Sequence, residues 1–468
     1  MTERRPRMFD MSLRLDAAGP KGVPLVNNLK FMATSADYAT RVMAPFHDQP
    51  VIPVTRGHGS VVLVTGEQAV RQVFTDNDTF HRAGEELFDL PKGRTFSGMF
   101  DAVITANGDE HRRRRRLLMP VVQKSAMDHY REIFADTFHH SRFADAAACD
   151  EPFDMAAEFL EISMTNLLRG MLGLPDSAEN RELAALILSL TASITHPAVI
   201  LFRHDAAWTP YGRWVRRVAA AYERLAELIE QRRQEPPRWD ALSIVCNTTG
   251  EDGERLSTSE IAGELHAFFS AGFETTALTL TWALLTIIAR PAGSGTAGPL
   301  GLDLTDETVL DAVVKESQRL LPAVPISLPR RVVRDVEIAG SAAVPRGAML
   351  WAASIVEHHR PESYPEPEVF LPRRWLDAAT GPRPHEFFPY GIGARRCLGA
   401  AFADLQVRVT LGLLARQRRQ PELLTREVAY RMRSGVSAAP RGPVLVRLGP
   451  PGADRTPVTG GVTAYWRQ

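Results

Sequence analysis

Cysteine is scarce in this chain: among 468 residues there are three, Cys149, Cys246 and Cys397, too few for a disulfide framework. Net charge is missing as well. Lys and Arg total 55 against 55 Asp and Glu, which removes the global electrostatic argument for nucleic-acid binding. The opening stretch MTERRPRMFDMSLRLD has no apolar h-region, and no later segment is an uninterrupted apolar run of membrane-spanning length. The expectation is a cytoplasmic protein without a membrane anchor. Gly and Pro, at 33 each, punctuate the chain without making it low-complexity. With 44% hydrophobic and 24% charged residues the chain has enough apolar material to bury a large core.

The periodicities call for a mainly α protein with a smaller β region. VIPVTRGHGSVVLV, residues 51–64, reads as two strands around a glycine turn, and EQAVRQVF after it as a helix. From about 109 to 245 helical spacing dominates, with no internal repeat. PAGSGTAGPLG, beginning at Pro291, is a flexible connector between helical patterns. Residues 330–369 alternate short β-like pieces with proline turns, and the end from 449 reads as an extended or partly disordered tail. The expected organisation is one domain over 1–448 and a tail over 449–468.

Chemistry concentrates around Cys397. In FFPYGIGARRCLGAAFADLQVRV, Gly391 and Gly393 permit the backbone angles that turn successive amides toward one point. A helix-periodic run starts at Leu398, so the sulfur sits over a helix N-terminus, which favours a thiolate. Arg395 and Arg396 add positive charge, Gly399 leaves room for close approach of a flat ligand, and Tyr390 is placed to pack over the sulfur. The bland alternative is an inert buried cysteine in an arginine-rich turn.

Three further patterns accompany it. Ser257 and Glu260 fit a capping box opening a helix of roughly 50 Å that lasts until Pro291. Its middle carries Ala271, Gly272, Glu274 and Thr275, costly residues for a core helix: the hydroxyl can donate to bound oxygen and the carboxylate can relay protons, or the threonine can bond back to a carbonyl four residues earlier. Glu316 and Arg319 share a helical face, and Arg374 offers a second cation to the same glutamate. His111 precedes five arginines, 112–116; His111 and Arg115 can face a pair of carboxylates together, while Arg113, Arg114 and Arg116 point elsewhere and some remain free to attract an acidic protein.

Jointly these motifs resemble the cytochrome P450 family of haem-thiolate monooxygenases. Tyr390, Gly391, Gly393, Arg395, Cys397 and Gly399 match its haem-binding pattern, with tyrosine where phenylalanine is more common. Ala271, Gly272, Glu274 and Thr275 match the oxygen-binding helix; Glu316, Arg319 and Arg374 match the structural ion network, with Arg373 where an acidic residue is usual. The resemblance implies the family fold, a triangular helical prism with haem b (iron protoporphyrin IX) between the long central helix and the Cys-loop helix. It implies Cys397 as the iron ligand, and His111, Arg115, Arg330 and Arg395 as propionate contacts. It implies a pocket from Phe96, Met99, Phe100, Phe269, Ala271, Gly272, Ala323, Val324, Ile326 and Val436. Oxygen insertion from O2 into a terpenoid, steroid, fatty acyl or polyketide-like molecule of secondary metabolism is the expected reaction. Desaturation, oxidative coupling, rearrangement and non-enzymatic haem binding stay open. Electrons are expected from a ferredoxin with an NAD(P)H-dependent ferredoxin reductase, or from a flavodoxin-like donor, docking where Arg113, Arg116 or Arg396 is exposed; the chain is expected to be a monomer with no nucleic-acid partner.

Overall fold

The computed structural model describes residues 10, 12–83, 101–145, 151–194, 199, 204–293, 301–341, 343–377, 382–383, 385–433, 436–450 and 454–466. Its helices in chain order are α1 (Pro24–Asp37), α2 (Glu67–Thr75), α3 (Gly108–Leu118), α4 (Lys124–His139), α5 (Met155–Leu167), α6 (Ala178–Ile194), α7 (Pro210–Gln234), α8 (Ala241–Asn247), α9 (Thr258–Ile288), α10 (Glu307–Leu320), α11 (Ser354–Glu357) and α12 (Ala400–Ala415). The strands are β1 (Val51–Thr55), β2 (His58–Val64), β3 (Phe80–Arg82), β4 (Phe153–Asp154), β5 (Ala289–Pro291), β6 (Arg330–Val332), β7 (Val336–Glu337), β8 (Ala343–Val344), β9 (Met349–Ala352), β10 (Gln420–Leu423), β11 (Tyr430–Arg433), β12 (Ser437–Pro440), β13 (Leu445–Gly449) and β14 (Thr456–Val458).

Helix α9 organises the rest. Its Ser257 hydroxyl accepts from the Glu260 amide while the Glu260 carboxylate accepts from the Ser257 amide, so the capping box is present and orphan donors at the helix start are satisfied. The first half, with Ile261, Leu265 and Phe269, packs into a core shared with Leu118 of α3, Phe134 of α4, Trp214 of α7 and Phe402 of α12. The second half, with Leu280, Trp282 and Leu285, enters a separate core with the strands and α10. Among the described residues α9 is the one helix long and apolar enough to cross a membrane, and 61% of its most apolar stretch is buried, which marks it as a core helix.

The largest sheet has the order β1-β2-β9-β6-β3. The expected early strand pair is its edge hairpin, with Val51 opposite Val64. At the other edge β3 runs antiparallel to β6 with Arg82 opposite Arg330, a register with consequences for the site. Tail residues 454–466 are not extended into solvent. β14 pairs in parallel with β5, and Trp466 is fully buried in the same core as Trp282. The composition of the segment hid two aromatics that find a hydrophobic surface.

Candidate active site

The Cys397 loop is built by its glycines. Gly391 and Gly393 have φ of 69° and 70°, the left-handed region that L side chains avoid. A Cβ at Gly393 would also stand 3.0 Å from the Phe74 carbonyl oxygen, so that position excludes a side chain twice over. The turn closes with the Cys397 amide donating to the Tyr390 carbonyl at 2.8 Å, and α12 starts three residues later. A Cβ at Gly399 would meet no protein atom within 4 Å.

Cys397 is exposed on one side and crowded by protein on the others, and that crowding pushes the free thiol up; the Gly399 amide, Arg396 and Arg115 act against that rise. The expected lowering is therefore corrected in direction: one amide and two guanidiniums do not outweigh desolvation. Tyr390 is fixed by its hydroxyl. That group donates to Asp404 Oδ1 at 2.6 Å and accepts from Gln318 Nε2 at 2.9 Å, tying the loop to α12 and α10. Of the other cysteines, Cys246 is buried and Cys149 lies outside the described residues.

A cation cluster adjoins this loop. Burial lowers the Arg330 guanidinium to about 10; burial together with neighbouring guanidiniums lowers Arg395 to about 9 and the His111 imidazole to about 4. Arg82 is pushed well below its ordinary value by burial and then by Arg330 and Arg395. Among the described residues no carboxylate acts on these four. Arg330 Nη1 and Arg395 Nε and Nη1 are buried without a protein partner. Asn107 holds the cluster together: its Oδ1 accepts from Arg395 Nη2 and from the Arg82 amide, both at 2.8 Å. Arg115 Nη1 donates to the Arg396 carbonyl at 2.9 Å. Converging guanidiniums with orphaned donors fit a ligand bearing two carboxylates. Arg82 and Asn107 escaped the sequence reading, since nothing local reveals that β3 is in register with β6.

On α9 a Cβ at Gly272 would stand 3.3 Å from Leu167 Cδ2, so the glycine admits α5 closely. Ala271 is exposed in an otherwise largely buried helix, and Thr275, one turn on, is half-buried. Thr275 Oγ1 donates back to the Ala271 carbonyl at 2.5 Å, the second of the two alternatives open to it. Glu274 faces the β11–β12 hairpin: its Oε1 is 2.8 Å from Arg433 Nε and its Oε2 accepts from Ser437 Oγ at 2.8 Å.

The pocket residues divide. Phe269 is corrected: it is fully buried in the core, because two positions from Ala271 amount to about 200° around a helix. Phe268, four and seven residues before Gly272 and Thr275, takes their face and is half-buried. Ala323 and Ile326 are buried, whereas Val324 and Val436 are half-buried; the Ala438 amide donates to the Ala323 carbonyl at 2.9 Å, which brings hairpin and loop together. Phe96, Met99 and Phe100 lie outside the described residues.

Glu316, Arg319 and Arg374 meet, all buried. Glu316 Oε1 accepts from Arg319 Nη2 (2.8 Å), the Leu371 amide (2.9 Å) and Arg374 Nε (3.1 Å); Oε2 accepts from Arg319 Nε (2.9 Å) and Trp375 Nε1 (2.8 Å). Arg319 reaches on to the carbonyls of His358, Pro367 and Val369. The arginine run is less free than expected. Arg113 pairs with Glu110 and Glu260, Arg116 with Glu254 at 2.8 Å, and Arg114 is buried among Glu110, Asp101 and Glu264. Glu110 is a local partner on α3, but Glu260 and Glu264 come from α9 and Glu254 and Asp101 from loops, where local reading does not see them.

A cysteine at the head of a helix, a glycine-cleared approach and an uncompensated pair of carboxylate clamps define a thiolate-haem site. The family model described as Cytochrome P450 matches residues 17–293 and 301–417. A mycobacterial relative provisionally named cytochrome P450 138, from Mycobacterium bovis, is 31% identical over 373 residues, covering 77% of this chain and 80% of its own. Cytochrome P450 137 of Mycobacterium tuberculosis, also a provisional name, is 27% identical over 85% of each chain. In three dimensions the chain is similar to retinoic-acid-bound CYP120A1 from a cyanobacterium, with TM-score 0.73 and 22% identity over 94% of this chain and 100% of that one. CYP109E1 of Bacillus megaterium, solved with testosterone, gives TM-score 0.64 and 19% identity over 83% and 93%. The chain belongs to the cytochrome P450 family. It is a haem monooxygenase, with iron protoporphyrin IX as cofactor.

Proposed function

We propose that this enzyme inserts one atom of dioxygen into a hydrophobic small molecule, by hydroxylation or epoxidation, with electrons from an external donor. The observation that carries the reading is the opening on α9: Ala271 is exposed, with Thr275 and Glu274 half-buried beside it, in an otherwise apolar helix that Gly272 lets α5 approach closely. Cys397 is the thiolate ligand. Thiolate-ligated haem supplies the oxidising chemistry once dioxygen and electrons are delivered.

The chain's own residues bind, orient and move protons. Arg82, Arg115, Arg330, Arg395 and His111 hold the two propionates and relieve the mutual repulsion described above. Gly399 admits the macrocycle. Thr275 Oγ1 holds a proton beside the exposed Ala271 by turning from the carbonyl it now serves, and Glu274 resupplies that proton through water. Phe268, Val324 and Val436 present apolar surface to a terpenoid, steroid, fatty acyl or polyketide-like substrate. A ferredoxin with its NAD(P)H-dependent reductase is the donor, a flavodoxin-like protein the alternative, and the setting is cytoplasmic.

Two measurements test this. Cys397→Ala is expected to abolish the thiolate-type absorption band of the reduced carbon monoxide complex, and persistence of the band removes Cys397 as ligand. A compound library scored by the haem spectral shift, followed by mass analysis of products formed under labelled dioxygen, is expected to yield products one labelled oxygen heavier. Products altered without that label would refute oxygen insertion.

A further inference from the structure

The β11–β12 hairpin has two ends, and both are held. Toward the site, Ser437 Oγ donates to Glu274 Oε2 at 2.8 Å, and the half-exposed Arg433 guanidinium stands 2.8 Å from Oε1 as an ion pair without hydrogen-bond alignment. At its base, Tyr430 Oη donates to Asp37 Oδ1 at 3.0 Å and lies 2.6 Å from Tyr465 Oη, which itself reaches Asp37 at 3.2 Å and Thr40 Oγ1 at 2.9 Å. The backbone makes the same connection. The Val428 amide donates to the Thr459 carbonyl at 2.8 Å, the Thr459 amide to Arg426 at 2.9 Å and the Val462 amide to Val428 at 3.2 Å. Gly460, at φ 103°, lets this happen: a Cβ there would stand 2.5 Å from the Val428 carbonyl oxygen. Tyr465 is further anchored by its carbonyl, 3.0 Å from His359 Nε2, and Trp466 beside it is fully buried.

From these contacts we infer that the C-terminal segment, residues 454–466, is a brace that sets the hairpin and, through Arg433 and Ser437, the position of the Glu274 carboxylate. Tyr465 and Arg433 are thereby positioning residues for proton delivery, an inference that rests on the relay reading of Glu274. The mechanics are those of a lever. β12 is fixed by the Ala438 bonds to Ala323 and Trp282, whereas β11 is short and among the described residues pairs with β12 alone, so the setting of β11 depends also on what holds its base. Two tyrosines sharing one carboxylate, partly buried, form a hydrogen-bonded network in which losing one hydroxyl strands the others.

The test uses full-length holoenzyme carrying Tyr465→Phe, Arg433→Met, Arg433→Lys or Glu274→Gln. Removing the Tyr465 hydroxyl is expected to speed amide hydrogen exchange in residues 426–433 about fivefold, the effect of one lost hydrogen bond. With NADPH, a plant-type ferredoxin and its reductase but no added substrate, consumed dioxygen is divided between peroxide and water. Tyr465→Phe and Arg433→Met are expected to raise the peroxide share, and Arg433→Lys to restore much of it. Wild-type exchange in Tyr465→Phe overturns the brace. So does an unchanged peroxide share in Tyr465→Phe when Glu274→Gln raises it. Should Glu274→Gln itself leave the share unchanged, the relay reading has failed, and exchange alone then decides whether the brace exists.

Discussion

Glu316 concentrates more hydrogen bonds than any residue the chemistry needs, and it takes no part in that chemistry. Its carboxylate sits in the protein interior, and five donors from Arg319, Arg374, Trp375 and the Leu371 amide satisfy it. Those donors win over desolvation and hold the carboxyl below its ordinary value. Replacing it removes a charge that two buried guanidiniums require. Glu316→Ala is expected to cost about 3–5 kcal/mol, the range for breaking a buried pair by deleting one partner. Chemical denaturation of the holoenzyme measures it, and a cost near that of a surface pair would show that Arg319 and Arg374 rearrange onto other acceptors. Sequence spacing placed Glu316 and Arg319 on one face and proposed Arg374; the Trp375 indole and the Leu371 amide follow from where the proline-rich segment returns, which spacing does not encode.

Elements with an internal signal were legible, and those defined by a distant partner were not. α9 announces its start with a capping box, and the Cys397 loop announces its turns with glycines. By contrast the Arg82–Arg330 register, the Glu274–Arg433 pair and the docking of β14 on β5 each join segments far apart, and each depends on strand pairing that composition leaves undetermined. The first half of α9 also carries a titration that can be measured. Burial raises Glu264 to about 8 from an ordinary 4.5, against the pull of Arg114 and the Val103 amide; Asp101 adds to the rise. Arg114 does not ionise it fully because that guanidinium is shared with Glu110, Asp101 and Glu260. His266, two residues on, is lowered by burial to about 4 from 6.5. The signs oppose. The fold binds the Glu264 proton more tightly than the unfolded chain does, so that contribution is complete below the unfolded carboxyl value and is lost as pH rises through about 8. The His266 contribution is complete above the unfolded imidazole value and is lost as pH falls through about 4. From pH about 6.5 to about 8.5 only Glu264 acts of the two, so stability from this helix falls across that range, and Glu264→Gln is expected to flatten the fall. Denaturant midpoints at several pH values decide it; parallel curves for the two proteins would refute a protonated Glu264.

Across the whole molecule, charge is balanced in total and, on the arginine-rich helix, locally as well. Of the cations expected to serve partner docking, Arg113 is held between Glu110 and Glu260, while Arg116 pairs with Glu254 and keeps 54% of its side chain exposed. Arg112 pairs with Asp109, but both side chains are well exposed, so that pair neutralises little once screened by salt. Arg396, in the Cys397 loop, is exposed; it stacks over the Tyr390 ring and has no carboxylate partner among the described residues. A negatively charged donor approaching the thiolate side therefore meets a small number of available guanidiniums and not five in a row. Electron transfer from a ferredoxin is expected to slow as salt rises from about 0.05 M to about 0.5 M, because the screening length contracts to a few ångströms over that range. With steering concentrated on so few groups, Arg396→Gln is expected to remove a large part of the salt dependence while sparing the slower high-salt rate. A salt profile identical in Arg396→Gln and wild type would place the docking surface elsewhere, and a rate indifferent to salt in both would mean that shape and apolar contact, not charge, bring the donor in.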